Sequence, residues 1–303
     1  LLNTFGIPHT KGVAGTGLVA PIGGHHPDKT PIALRADMDA LTIQEPNDVP
    51  YKSINAGVMH ACGHDVHTAS LLGVARILNE VKDSFEGSVR LIFQPGEEKL
   101  PGGASLMIKE GVLENPKPAS IIGQHVMPFI ETGKVGFRKG MYMASTDELY
   151  VSVKGRGGHG AFPHQSIDSI LIASHIVVAL QQIVSRNAEP GLPTVLSFGK
   201  IEGLGATNVI PAEVKMEGTF RTFNEEWRVE AHQRMKKMAE GIAESMGAVC
   251  EFRVEKGYPM LFNNEEVTAR AISGAKDFLG EENVVELEIW PAGEDFGFYS
   301  HHV

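Results

Sequence analysis

Six of the chain's 13 histidines fall in three tight settings. They are His60-Ala61-Cys62-Gly63-His64-Asp65-Val66-His67, Gln124-His125-Val126 and Gly158-His159-Gly160-Ala161-Phe162-Pro163-His164. A thiol and an imidazole two positions apart can reach one metal ion when glycine stands between them, because glycine lets the backbone turn sharply. Cys62 also stands just ahead of a helical run, where the amide dipoles of a helix start favour a thiolate. One cysteine beside one histidine is more often a buried structural thiol near a surface imidazole. Three histidines and a cysteine packed so closely read instead as a metal site.

Carboxylates recur at the ends of apolar runs. Gln94-Pro95-Gly96-Glu97-Glu98 follows the run 89–93. Adjacent carboxylates on a helix would form a solvated face, but α/β folds present ligand-binding groups at strand ends. Two neighbours in a turning backbone point in different directions, so one can hold a metal while the other faces a substrate. His125 ends the run 119–123 in the same way; alone, it would more often be a hydrogen-bonded core histidine, and the three strand-end clusters together make it as readily a ligand. Arg35-Ala36-Asp37-Met38-Asp39 ends another run. Asp37 and Asp39 share a face by the two-residue period of a strand. Either could ligate, hydrogen-bond the second nitrogen of a ligating histidine, or shape a turn.

These groups need elements to position them. Short apolar runs at 32–34, 89–93 and 121–122 are separated by a helix-like segment, 68–81, or by Gly/Pro-rich loops, an alternation that implies an α/β sheet. Within 68–81, Thr68, Leu71, Leu72, Ala75 and Leu78 fall on one face at helical spacing, with Arg76 and Glu80 elsewhere. That face should pack on the sheet. After about Met141 the pattern becomes a strand at 149–153, a helix at 167–185, strands near 194–201 and 213–223, a helix at 225–245 and a strand at 249–254. The order β-α-β-β-α-β predicts a four-stranded antiparallel sheet with two helices on one face, the ferredoxin-like arrangement. Past Tyr258, a helical pattern at 265–279, a short strand and the loop 291–298 return to the first domain. We therefore expect a discontinuous domain of 1–141 and 259–303 that holds the chemistry, and an inserted domain of 142–258.

Composition agrees with two folded domains. The chain has 303 residues, 42% hydrophobic and 21% charged, with two cysteines; collagen-like, disordered and disulfide-scaffold classes are excluded. A net charge of -10 disfavours nucleic acid as a partner. The most apolar helical stretch, 170–184, is interrupted by Ser174, His175 and Gln181-Gln182, short of the roughly 20 apolar residues of a bilayer crossing, so no membrane partner is expected. Leu1-Leu2-Asn3-Thr4 shows no basic or apolar region of a signal peptide. Cys62 and Cys250 form no disulfide framework, which favours a reducing, cytoplasmic compartment. Gly155-Arg156-Gly157-Gly158-His159-Gly160 satisfies G-x-G-x-x-G, yet 173–182 lacks the acidic residue that a dinucleotide site wants about 20 positions onward. Those glycines are read as a tight loop that exposes His159.

Taken in order, Arg35-Ala-Asp-Met-Asp-Ala-Leu, Met59-His-Ala-Cys-Gly-His-Asp-Val-His-Thr-Ala, Gln94-Pro-Gly-Glu-Glu, Gly158-His-Gly-Ala-Phe-Pro-His, Thr207-Asn-Val-Ile-Pro and Ala292-Gly-Glu-Asp-Phe resemble the M20 metallopeptidase family. The similarity is to its amidohydrolase branch, which includes hydrolases of hippurate, other N-acyl-amino acids and indole-acetyl-amino acids. The resemblance implies a metallopeptidase-type mixed α/β sheet flanked by helices, with the inserted ferredoxin-like domain serving as lid and as the surface of a homodimer. It implies that Cys62, His64, Glu98 and His125 hold two divalent ions, which could be Zn, Mn, Ni or Co. Glu97 is then the general base and Asp39 orients the site, while Asp37 stands where other branches have a ligating histidine. His159 matches a histidine that crosses to the other subunit's active site and stabilises the tetrahedral oxyanion. Asn208 and Arg221 would bind the carbonyl or free carboxylate of the substrate, with hinges near Met141 and Tyr258. The implied reaction cleaves an N-acyl-amino acid to a carboxylic acid and a free amino acid.

The resemblance departs at both ends. Family members begin with a further N-terminal segment and carry a fifth ligand, a histidine well beyond Gly293-Glu294-Asp295-Phe296. His301 and His302 stand too close to that motif to be its equivalent, so the catalytic domain is expected to be shortened at both ends. A small-peptide carboxypeptidase or an acetyl-diaminopimelate deacetylase would show the same motifs. Readings from other classes are a metal-poor module that binds acyl-amino acids or dimerises, and a Cys62 nucleophile activated by His64 or His67. Paired Glu97 and Glu98 weigh against both, since neither needs two carboxylates at a strand end.

Overall fold

The apolar runs of the first half become strands whose ends carry the candidate groups. The computed structural model describes residues 1–303. It begins with β1 (Thr10–Val13), β2 (Gly17–Gly23), β3 (Ile32–Asp37), α1 (His64–Glu80), β4 (Ser88–Gln94), α2 (Gly103–Lys109), β5 (Ser120–Gly123), β6 (Val135–Phe137) and β7 (Gly140–Met143). Then come β8 (Asp147–Lys154), β9 (Gly158–His159), α3 (Ser169–Gln182), β10 (Thr194–Glu202), β11 (Val209–Ile210), β12 (Glu213–Thr222), α4 (Glu225–Ser245) and β13 (Val249–Lys256). The remaining elements are β14 (Leu261–Asn263), α5 (Glu265–Leu279), β15 (Val284–Glu286) and α6 (Gly297–Ser300). Two compact units result: Leu1–Gly140 with Phe262–Glu288 and Glu294–Val303, and Met141–Leu261 with Ile289–Gly293. Residues 289–293 go with the second unit because the Trp290 amide donates to the Tyr142 carbonyl and the Ala144 amide to the Ala292 carbonyl.

The first unit is built on a mixed five-stranded sheet of order β1-β2-β4-β3-β5. β3 runs parallel to β4 and β5, while β2 is antiparallel to β4. The register sets Asp37 beside Gln94 and Arg35 beside Gly123. The carboxyl ends of three parallel strands therefore finish at one edge, where α/β sheets expose ligand groups. Alternation divides β4 between two cores. Leu91 and Phe93 pack with Leu71 and Ala75 of α1, and Ile92 packs with Ala104 and Met107 of α2 and Tyr299 of α6. Each of the buried Leu, Ile, Phe and Met side chains among these contributes about 1.5–3 kcal/mol. α1 begins at His64, ahead of the expected Thr68, so His64 and His67 both join its buried face.

The second unit holds an antiparallel sheet of order β10-β12-β8-β13. Leu149, Val151 and Val153 of β8 alternate toward one face and meet Ile172, Ile176 and Leu180 of α3 and Trp227, Ala231 and Met235 of α4. Asp168 caps α3 by accepting from the Ile170 and Leu171 amides, and Asn224 caps α4 by accepting from Trp227. The stretch Ser169–Asn187 is long and apolar enough by length and composition to cross a membrane. Its apolar content has another use here: Ile172, Ala173, Ile176, Leu180 and Ile183 fill the core of this unit. The chain is thus a mixed α/β protein, as its pattern predicts.

Candidate metal centre

Gly63 adopts φ 91° at the start of α1, a left-handed conformation that glycine takes at little cost. A Cβ there would lie 2.3 Å from Val126 Cγ2, so only glycine lets the helix start approach the loop after β5. That approach brings Cys62 Sγ to 3.4 Å from His125 Nε2. Cys62, His64 and His125 offer donor atoms that all lie within 4.8 Å of one another, and His64, Glu97 and Glu98 form a second such group. His64 is common to both. The four residues nominated as ligands and the nominated base therefore converge at one edge of the sheet.

The chemistry of these donors fits a metal. His64 Nδ1 faces Asp39 Oδ1 at 3.1 Å, while its buried Nε2 has no hydrogen-bond partner. A buried ring nitrogen left so costs about 1–3 kcal/mol, and a cation is the partner its lone pair lacks. Thiolate, imidazole and carboxylate together suit Zn, Mn, Ni or Co. Two neighbouring acidic groups are already engaged. Asp37 Oδ2 accepts from Arg35 Nη1 at 2.8 Å and its Oδ1 lies 2.6 Å from His67 Nδ1. Asp295 accepts from Arg35, Gln94 and the Ala104 amide. Of the three roles open to Asp37, hydrogen bonding is the one it fills, but to His67 rather than to a nominated ligand. Asp39 holds two ligands at once, His64 by its ring and Glu98 by its amide at 2.9 Å.

Burial and charge tune these groups differently. Burial opposes charge on Asp39, yet the His64 hydrogen bond and the Glu98 and Glu97 amides outweigh it and hold the carboxyl below its usual range. Glu97 goes the other way: burial, then the Glu294 and Asp295 carboxylates, push it well up. Burial also pulls Asp295 up, against the Arg35, Ala104 and Gln94 donors that its oxygens accept from. A carboxyl raised toward neutrality is suited to acid–base work. Cys62 corrects an expectation. The His64 hydrogen bond lowers it, but burial and the Glu98 carboxylate outweigh that effect and leave the thiol raised. The helix start alone does not bring the thiol below its usual range.

The sequence left some of this site unassigned. Buried Arg35 donates from Nε to Gln94 and from Nη2 to Glu294 and Asp295, at 2.9, 3.0 and 2.7 Å. Its place two residues before Asp37 on a buried strand was the one available signal. His60 is exposed. His159, Asn208 and Arg221 belong to the second unit. β9 and β11 pair with Val209 opposite His159, which brings Asn208 Nδ2 to 3.4 Å from His159 Nε2. Arg221, opposite Val195 on β12, donates to the Pro291 carbonyl at 3.2 Å.

The family model described as peptidase family M20/M25/M40 matches residues 33–303. The chain belongs to the M20/M25/M40 peptidase family. An N-acyl-L-amino acid amidohydrolase of Geobacillus stearothermophilus is 43% identical over 265 residues, 88% of this chain and 71% of that one. An N-acetyl-L-cysteine deacetylase of Bacillus subtilis is 42% identical over 288 residues, 95% of this chain and 68% of its own. Among solved structures, a dinuclear metal-binding peptidase of the M20 family from Bacillus subtilis aligns with a TM-score of 0.84 at 36% identity, covering 100% of this chain and 78% of that one. Membership in M20 bears out the resemblance read from the motifs and the metal dependence it implies.

Proposed function

We propose that this M20 protein is a dimetal amidohydrolase that cleaves N-acyl-amino acids to a carboxylic acid and the free amino acid. The observation that carries this reading is the convergence of Cys62, His64, Glu98 and His125 beside Glu97, in a chain whose relatives include an N-acyl-L-amino acid amidohydrolase. Two bound cations would lower the pKa of a water and polarise the scissile carbonyl. With the cations in place, ionised Glu97 would take a proton from the attacking water as the new C–O bond forms and pass it to the amide nitrogen as the C–N bond breaks, ending as it began. Its raised proton affinity suits the first half of that task. Asp39 keeps His64 and Glu98 in register throughout.

In the same reading, His159 donates to the oxyanion from a partner subunit. Asn208 and Arg221 take the substrate's carbonyl and carboxylate, the latter matched by a planar guanidinium. The segment 142–258 then acts as a ferredoxin-like lid and homodimerisation domain on a catalytic domain of 1–141 and 259–303. An antiparallel sheet with β10 at its edge, together with exposed Leu171 and Val178 on α3, supports this assignment. Two free cysteines suit a reducing, cytoplasmic setting.

The test is metal content per chain, measured beside turnover of N-acetyl- and N-benzoyl-amino acids by the protein and its Glu97→Gln variant. We expect about two metal ions per chain in both, and turnover lowered about 10²–10⁴-fold in the variant. Full activity after exhaustive metal removal would overturn the reading.

A further inference from the structure

His67 is the buried histidine of the Cys62 motif for which the reaction has no use. It is 1% exposed, and both of its ring nitrogens are engaged. Nδ1 lies 2.6 Å from Asp37 Oδ1, and Nε2 lies 2.9 Å from the amide nitrogen of Val126. A backbone amide can only donate, so Nε2 is the acceptor and the ring hydrogen sits on Nδ1, directed at Asp37. Neither nitrogen has a lone pair left for a cation. Asp37 is itself anchored, by Arg35 on its other oxygen and by Thr68 Oγ1, which donates to its backbone carbonyl at 3.0 Å.

Val126 passes this constraint on. Its carbonyl accepts from His125 Nδ1 at 2.7 Å, which leaves His125 Nε2 turned toward Cys62. On its side-chain face Val126 is pressed against Gly63. Hydrogen bonds therefore run from Arg35 through Asp37, His67 and Val126 to His125, joining the end of β3, the first turn of α1 and the loop after β5. No other side chain accepts the Val126 amide.

We propose that His67 is a positioning residue for His125: by fixing the Val126 backbone it sets where the His125 Nε2 lone pair points. The proposal rests on the metal-centre reading, in which His125 is a ligand. Groups that orient a ligand without touching the metal typically control 10–100-fold of its affinity, so His67 should act on the metal and not only on the fold.

Titration of the apoprotein with Co²⁺, followed by its visible absorption, tests this. His67→Asn places its amide near Nδ1, where it can keep the Asp37 hydrogen bond but cannot reach Val126. His67→Gln places an oxygen near Nε2, where it can accept the Val126 amide. We expect the Asn variant to bind one of two Co²⁺ ions about 10–100-fold more weakly, with an altered spectrum, and the Gln variant to bind like the wild type. Wild-type affinity and spectrum in the Asn variant would overturn the proposal, as would equal losses in both variants. If melting curves show that the Asn variant does not fold, the Gln variant decides: wild-type binding supports the role and weakened binding overturns it. A wild-type protein that binds no Co²⁺ would remove the metal-centre reading itself, a result distinct from failure of His67 alone.

Discussion

Asp39 does two jobs with one carboxylate: Oδ1 meets the His64 ring and Oδ2 meets the Glu98 amide. Asn at this position keeps the size but turns one oxygen into a donor, which must then face another N–H. Asp39→Asn should therefore lose metal about 10–100-fold more readily, read as residual metal after dialysis against graded chelator, with the fold unchanged by circular dichroism. Cys62, His64, Glu97 and Glu98 were legible as candidates because their chemistry is local: Cys62 and His64 flank one glycine, and Glu97 and Glu98 are adjacent, whereas His125, 63 positions from Cys62, entered the set through the family resemblance. Arg35 was not, because its partners Glu294 and Asp295 lie 259 and 260 positions away. No periodicity reports a contact at that separation. His67 was visible as a histidine, but its partners Asp37 and the Val126 amide, 30 and 59 positions away, are contacts that a sequence does not display.

Elements were legible where a pattern is long and regular. α4 and α5 run over the residues their periodicity indicates, Glu225–Ser245 and Glu265–Leu279. α1 starts a turn early because His64, Asp65 and His67 hide its first turn from any hydrophobic pattern. Short β6 carries too few residues to show an alternation, and its parallel partner β15 is distant in sequence. One close approach between elements makes a sharp prediction. A Cβ at Gly103 would lie 1.4 Å from the Pro95 carbonyl oxygen, and the Gly103 amide donates to Gly96 at 2.8 Å. The start of α2 is thus pressed onto the turn that carries Glu97. Gly103→Ala should destabilise the first unit by more than the roughly 0.5–3 kcal/mol of an ordinary substitution, measured by urea denaturation. In the second unit Asp147 at the start of β8 is held by Arg228 and His232 of α4. Burial opposes its charge, but these partners keep its pKa below the ordinary 3.8. A carboxylate depressed on folding stabilises fully above its unfolded pKa, and that contribution is lost as pH falls through the folded one. Melting of the second unit should accordingly drop on acidification below about pH 4, and less steeply in Asp147→Asn.

At the scale of the molecule, the two units have separate cores: one cluster fills the second unit and two flank the sheet of the first. All four candidate ligands and Glu97 belong to the first. A ligand that binds only the folded state stabilises what it binds, by about 4 kcal/mol at a thousandfold excess over its dissociation constant. Chelation should therefore lower the unfolding temperature of the first unit and leave that of the second in place. Calorimetry with and without chelator should resolve this, and a uniform shift of both would contradict it. The first unit is also interrupted. Met141–Leu261 supplies all but residues 289–293 of the second unit, whereas Arg35 stays without Glu294 and Asp295 until the chain has returned. At a synthesis rate of about 5–20 residues per second, a nascent chain on the ribosome spends tens of seconds with that guanidinium lacking two of its three counter-charges. A half-made polypeptide can form Met141–Leu261 while the edge of the candidate metal centre is still open, and the last pieces of both units, residues 289–295, leave the exit tunnel at the same moment.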